Sequence, residues 1–134
     1  MTEENNFKSI NILVVEDEEF SQRFVMRILE KLGVGRIITA GGGAEALNKL
    51  AEDPKNIDLV ICDIEMPEMD GYEFVRRVRY GTVPEYKKLP ILILTGKDTD
   101  SNVEKARIHK IDGFIVKPAT LEDLDRHIRR VMGL

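Results

Sequence analysis

The sequence predicts an α/β domain in which five parallel strands form a doubly wound sheet covered by helices on both sides. Three observations carry this. Short apolar runs alternate with helically periodic segments five times along the chain. The connections between them are mostly short, as crossovers of consecutive βα units require. The length of 134 residues suits one domain with a real core, so the whole chain, 1–134, is expected to be a single domain.

Each element has its own justification. The opening "MTEENNF" is polar and reads as frayed, so residues 1–9 are expected to form a flexible N-terminal segment. "INILVV" (10–15) is a short apolar run of the kind that forms a strand buried on both faces. Phe20, Phe24, Val25, Ile28, Leu29 and Leu32 then mark one face of a helix, which Gly33 is placed to stop. "RIITA" (36–40) is the second strand. "GGG" (41–43) is a flexible entry to a short helix that ends near Asp53-Pro54.

"DLVICD" (58–63) is the third strand, followed after Gly71 by a helix whose apolar set is Tyr72, Phe74, Val75 and Val78. Residues 80–90 read as a long loop. "ILILT" (91–95) is the fourth strand, with a polar, weakly amphipathic helix around 101–110. "GFIVK" (113–117) is the fifth, ended abruptly by Lys117-Pro118. "TLED" opens the last helix in a pattern close to a capping box, and Leu121, Leu124, Ile128 and Val131 supply its buried face. Right-handed crossovers restrict such a chain to doubly wound topologies. The expected strand order is 2-1-3-4-5, with the most uniformly apolar strands, 1, 3 and 4, in the centre.

Composition narrows the function. Hydrophobic residues at 43% and charged residues at 33% are ordinary for a soluble domain, and a net charge of -4 argues against a dedicated nucleic-acid binder. Cys62 is the only cysteine, which excludes an internal disulfide and makes a reducing compartment the default. No segment reads as a signal peptide or a membrane span, so a cytoplasmic location away from the membrane is expected.

In doubly wound sheets, ligands bind outside the carboxyl ends of the strands, near the switch between strands 1 and 3. Strand 1 delivers Glu16 and Asp17 to that edge, strand 3 Asp63, strand 4 Thr95 and strand 5 Lys117. Any one of these is often a turn or cap residue; five together call for another explanation. Clustered carboxylates repel, and a hard divalent cation such as Mg2+, which takes oxygen ligands and keeps several waters, is the usual remedy. A free coordination position, the Lys117 charge and the Thr95 hydroxyl would then receive phosphoryl oxygens. Asp63, between them, is a carboxylate nucleophile able to form an acyl phosphate.

"VVEDE" after strand 1, "CDIEMPEMDG" after strand 3, "LTG" after strand 4 and "KP" after strand 5 together resemble the receiver domain of two-component response regulators. The likeness runs from about residue 10 to the end, with the flavodoxin-like (βα)5 fold and a stand-alone, chemotaxis-regulator-like receiver as its closest form. It implies that Asp63 accepts a phosphoryl group from a histidine kinase or a histidine phosphotransfer protein. It implies that Glu16, Asp17, Asp63 and the main-chain carbonyl of Glu65 surround Mg2+, for which Mn2+ can substitute, and that Lys117 contacts the phosphoryl group. Thr95 becomes the switch hydroxyl, Phe114 the rotating aromatic, and Lys117-Pro118 a cis bond. Such a protein promotes only its own phosphorylation and dephosphorylation and is not otherwise an enzyme. Its output would pass to a downstream protein through helix 4, strand 5 and helix 5, as a monomer or a phosphorylation-linked dimer.

The chain departs from the family pattern in small ways. Glu16 stands where the family often has Asp, so its metal contact is expected through water, and Gly96 replaces a slightly larger residue, which leaves the site more open. Phe114 lacks a tyrosine hydroxyl, so any switch relies on packing. Glu65 and Lys97 carry opposite charges at positions that the likeness puts on opposite lips of the site, where a weak pair would shield the phosphoryl group. An aspartyl phosphatase of the haloacid-dehalogenase kind would carry its nucleophile after strand 1 as D-x-D, and a nucleotide or flavin module would need a Gly- or Ser/Thr-rich loop there; "EDEEF" is neither. Cys62, His109 and His127 read as structural or surface residues, Met66 and Met69 as packing around the site loop, and Arg126, Arg129 and Arg130 as complements to the last helix dipole.

Overall fold

The computed structural model describes residues 7–81, 83–96, 104 and 107–134. In chain order it contains β1 (Asn11–Val15), α1 (Glu19–Lys31), β2 (Arg36–Ala40), α2 (Gly43–Glu52), β3 (Leu59–Asp63) and α3 (Gly71–Tyr80). A 3-10 turn (Pro84–Tyr86) and β4 (Ile91–Thr95) follow. Glu104 and residues 107–109 are the described part of α4. β5 (Gly113–Val116) and α5 (Leu121–Met132) complete the chain.

All strand pairings are parallel, in the order β2-β1-β3-β4-β5 expected from the sequence. Strand alternation divides the core in two. Leu13, Val15, Val60, Cys62, Ile91 and Ile93 face the layer of Ala46, Leu50, Phe74, Val75 and Val78 from α2 and α3. Ile12, Val14, Leu59, Ile61, Leu92, Leu94 and Ile115 face Val25, Ile28, Leu29, Leu124 and Ile128 from α1 and α5. Every residue of β3 and β4 is buried, because those strands have a neighbour on each side and helices on each face. The register sets Val15 beside Cys62, Asp63 beside Leu94 and Thr95 beside Val116, so the strands end level along one edge.

The termini of the helices are chemically specified. Glu18, Asp70 and Thr120 cap α1, α3 and α5 by accepting from the N–H groups of Ser21, Glu73 and Asp123. Gly33, at φ 83°, ends α1 in a left-handed turn.

Several expectations are corrected. The frayed segment does not extend through residue 9: Phe7 is 1% exposed, under the Arg129 guanidinium at 4.9 Å from its ring centre. Its carbonyl accepts from Ile10 and Gly35, and a Cβ on Gly35 would stand 2.0 Å from the Lys8 carbonyl oxygen. Residues 1–6 lie outside the described part. The α1 face is also narrower than its apolar positions suggest, with Phe20 at 75% and Phe24 at 41% exposure. At about 100° per residue, Phe20 lies roughly 140° round the helix from the Val25–Ile28–Leu29–Leu32 stripe. Leu121, likewise, is exposed at the start of α5.

The 80–90 connection is more than a loop. Tyr86 is buried, donates its hydroxyl to the Asp53 carbonyl and accepts from Ile57 N–H at 3.1 Å. Arg79, buried on α3, donates to the carbonyls of Lys87, Leu89 and Lys110 and pairs with Asp112 at 3.2 Å. Helical periodicity sets it beside the buried face, four residues after Val75, unlike its solvated neighbours Arg76 and Arg77, but does not name the carbonyls it serves. His109, read as a surface residue, stacks on Tyr72 with ring centres 5.4 Å apart.

Candidate functional site

β3 delivers Asp63 to the level edge of the sheet, where it is 5% exposed. The chain then turns sharply: Ile64 N–H donates to the Leu94 carbonyl and Gly71 N–H to the Ile64 carbonyl at 2.8 Å. A Cβ at Gly71 would meet the Asp63 carbonyl oxygen at 2.8 Å, so only glycine lets α3 start this close to the acid. Met66 is buried and Met69 packs over Gly43, so both methionines fasten the loop as expected.

Glu16 follows β1 and is 2% exposed, with its N–H donating to the Ala40 carbonyl at the end of β2. Asp17, next in the chain, is exposed. One carboxylate oxygen from each of Glu16, Asp17 and Asp63 lies within 4.8 Å of the others, a cluster that could hold a metal ion. All are hard oxygen donors facing one opening, the ligand chemistry of Mg2+.

Lys117 reaches in from the end of β5, its Nζ 2.7 Å from Asp63 Oδ1 and 3.5 Å from Glu16 Oε1. Its main-chain N–H donates to the Thr95 carbonyl at 2.7 Å, and the Lys117–Pro118 bond is cis, as the resemblance implied. Burial pulls the ammonium pKa down, but the hydrogen bond and charge of Asp63, with that of Glu16, hold it above the ordinary lysine value. Burial raises the Glu16 carboxyl to about 7; the Asp63 charge adds to the rise, while the Glu18 N–H and Lys117 oppose it.

Thr95 is buried at the end of β4, and among the described residues none but the chain neighbours lies within 4 Å of where a Cβ on Gly96 would stand. Phe114 pairs in register with Ile93 and is half-buried against the α2–α3 side of the core. Glu65 is exposed in the loop after Asp63, while Lys97, its expected counterpart, lies outside the described residues. Cys62 is fully buried, and burial pushes its thiol pKa well up, in keeping with an inert role.

Two features beside this cluster were not legible from motif positions. Phe20, Phe24, Val25, Leu94, Pro118 and Ala119 line a cleft of about 340 Å³ that opens onto Glu16 and Lys117. The signal was Phe20, too far round α1 to share its buried stripe. Gln22, one turn into α1, donates its amide to the carbonyls of Glu16 and Ala40. Its place three residues before Val25, near the buried side, was the corresponding signal.

Comparison with known proteins agrees with this geometry. Residues 12–129 match the family model described as the response regulator receiver domain. A probable chemotaxis protein CheY from Rhizobium etli is 33% identical over 126 residues, covering 94% of this chain and 95% of that protein. The structure of chemotaxis protein CheY4 from Vibrio cholerae superposes with a TM-score of 0.82 at 33% identity, covering 91% of this chain and 98% of that one. The receiver domain of the histidine kinase CKI1 from Arabidopsis thaliana, complexed with Mg2+ and BeF3-, gives 0.77 at 26% identity over 98% and 95% of the two chains. A doubly wound sheet ending in Glu16, Asp17, Asp63, Thr95 and Lys117 is thus accounted for by descent: the chain belongs to the response regulator receiver domain family.

Proposed function

We propose that this receiver is the phosphoacceptor of a two-component phosphorelay, taking a phosphoryl group from a histidine kinase or histidine phosphotransfer protein onto Asp63. The observation that carries the reading is the contact of Lys117 Nζ with Asp63 Oδ1 at 2.7 Å, inside a cluster of acids that could hold a cation. Asp63 attacks phosphorus through a carboxylate oxygen, the bond from phosphorus to the donor imidazole breaks, and the imidazole takes a proton from solvent. The product is an acyl phosphate. Lys117 exchanges part of its contact with Asp63 for a phosphoryl oxygen, and the Thr95 hydroxyl donates to another. Mg2+, held by Asp17, Asp63 and the Glu65 carbonyl with Glu16 reached through water, would neutralise charge between the acids and the incoming group.

The apolar cleft at Phe20 and Phe24 suits the donor protein. It is continuous with the site, so a donor that brings its histidine to Asp63 covers it. Movement of Thr95 toward the phosphoryl group then makes room for Phe114 to pack inward, which changes the face of α4, β5 and α5. Exposed Ile108, Val116 and Leu121 give that face an apolar surface suited to a protein target.

Treatment with acetyl phosphate and Mg2+ is expected to add one phosphoryl group to the wild type and none to Asp63→Asn, read by intact mass. Equal incorporation in both refutes the acceptor. Phe20→Ala should slow transfer from a phosphorylated donor protein while leaving acetyl phosphate unaffected.

A further inference from the structure

Asp17 is exposed and has no strand of its own to hold it, so something else must fix its direction. The chain on both sides of it is gripped by one residue. Gln22 donates its main-chain N–H to the Glu18 carbonyl at 3.0 Å. The Gln22 side-chain amide donates to the Glu16 carbonyl at 3.2 Å and to the Ala40 carbonyl at 3.3 Å. The Glu16 carbonyl belongs to the planar peptide that leads into Asp17, so holding that oxygen fixes the plane from which the Asp17 side chain departs. Ala40 O also accepts from Glu16 N–H, so both peptide groups of Glu16 are tied to the end of β2.

We infer that Gln22 is a positioning residue for the acidic cluster, holding the Glu16–Asp17 peptide so that the Asp17 carboxylate is aimed at the cation before the cation arrives. The inference rests on the reading of Asp17 as a ligand. A flexible ligand loses freedom when it coordinates, and a polar group that restrains it beforehand lowers that cost. The Gln22 amide nitrogen serves two segments through two contacts. One holds the acid-bearing loop, and the other anchors the same amide to β2, so α1 itself becomes part of the support. A helix position this near the core would otherwise favour an apolar side chain, and the glutamine's two carbonyl partners explain its presence.

The test is Gln22→Met, which preserves length and volume and removes both side-chain donors. Mg2+ affinity is measured by isothermal titration well below the melting temperature, in the wild-type and Asp17→Asn backgrounds, with far-UV circular dichroism to establish folding. In the wild-type background the substitution should weaken Mg2+ binding by about tenfold, the lower end of the range for residues that orient metal ligands. With Asp17 already replaced, it should change the residual affinity less than twofold, since the group it orients is gone. A purely structural glutamine would lower the melting temperature in EDTA and leave the Mg2+ dissociation constant unchanged, which overturns the inference. Equal weakening in both backgrounds also overturns it, because the effect would not pass through Asp17. Absence of Mg2+ binding in the wild type overturns the metal reading itself.

Discussion

Burial makes Glu16 the residue through which pH should control this protein. Its carboxyl titrates near 7 in the folded chain against an ordinary value of 4.5. The folded state therefore binds this proton more tightly than the unfolded state. Without a cation, the stability associated with Glu16 is complete below pH 4.5 and is lost as pH rises through 7. The shift corresponds to about 3 kcal/mol across that window. Glu16 is 2% exposed, so solvent screens its charge poorly. Urea denaturation in EDTA at intervals from pH 4.5 to 8, for wild type and Glu16→Gln, isolates the effect as a difference between two curves. The wild type should lose stability relative to the variant with rising pH, and the curves should diverge by about 3 kcal/mol. Cation binding opposes the trend, since a metal favours the ionised acid. Mg2+ should displace close to one proton near pH 6 and almost none at pH 8, measurable by calorimetry in buffers of different ionisation enthalpy. Parallel denaturation curves, or a proton release that is zero at pH 6, would refute the reasoning.

Other perturbations test the frame around the site. Arg79→Met removes the donors held by three carbonyls and leaves Asp112 without its cation; a loss of about 2 to 4 kcal/mol in urea denaturation is expected, and a loss below about 1 kcal/mol would show the clamp to be dispensable. Phe7→Ala empties a fully buried position under Arg129 and should cost about 3 kcal/mol, lowering the melting temperature, whereas a truly frayed segment would give no change. In crystals with Mg2+ and beryllofluoride, Phe114 should pass from half-buried to buried and Thr95 should move toward the fluoride; unchanged rotamers at both would break the proposed link to the α4–β5–α5 face.

The sequence by itself determined the order and direction of the strands, because apolar runs buried on both sides and separated by helical segments fit very few topologies. It also determined that one end of the sheet collects the acids, the threonine and the lysine of the candidate site. Glu16, Asp17, Asp63, Thr95 and Lys117 each follow a strand, and parallel strands deliver their ends to one edge. The cis Lys117–Pro118 bond came from the family resemblance and is present. What the tertiary structure decided depends on contacts between residues far apart in the chain. Periodicity already sets Phe20 apart from the buried stripe of α1, but only the packing of α1 beside the ends of β4 and β5 brings Phe20 and Phe24 together with Leu94, Pro118 and Ala119 in one cleft. Phe7 sits in a polar stretch and yet is buried, because α5 returns to cover it. Arg79 and Gln22 stand toward the buried side of their helices by periodicity, but nothing local names their partners. Their roles arise only where folding leaves main-chain carbonyls of other segments in need of donors, and a local pattern cannot show where such distant carbonyls will lie.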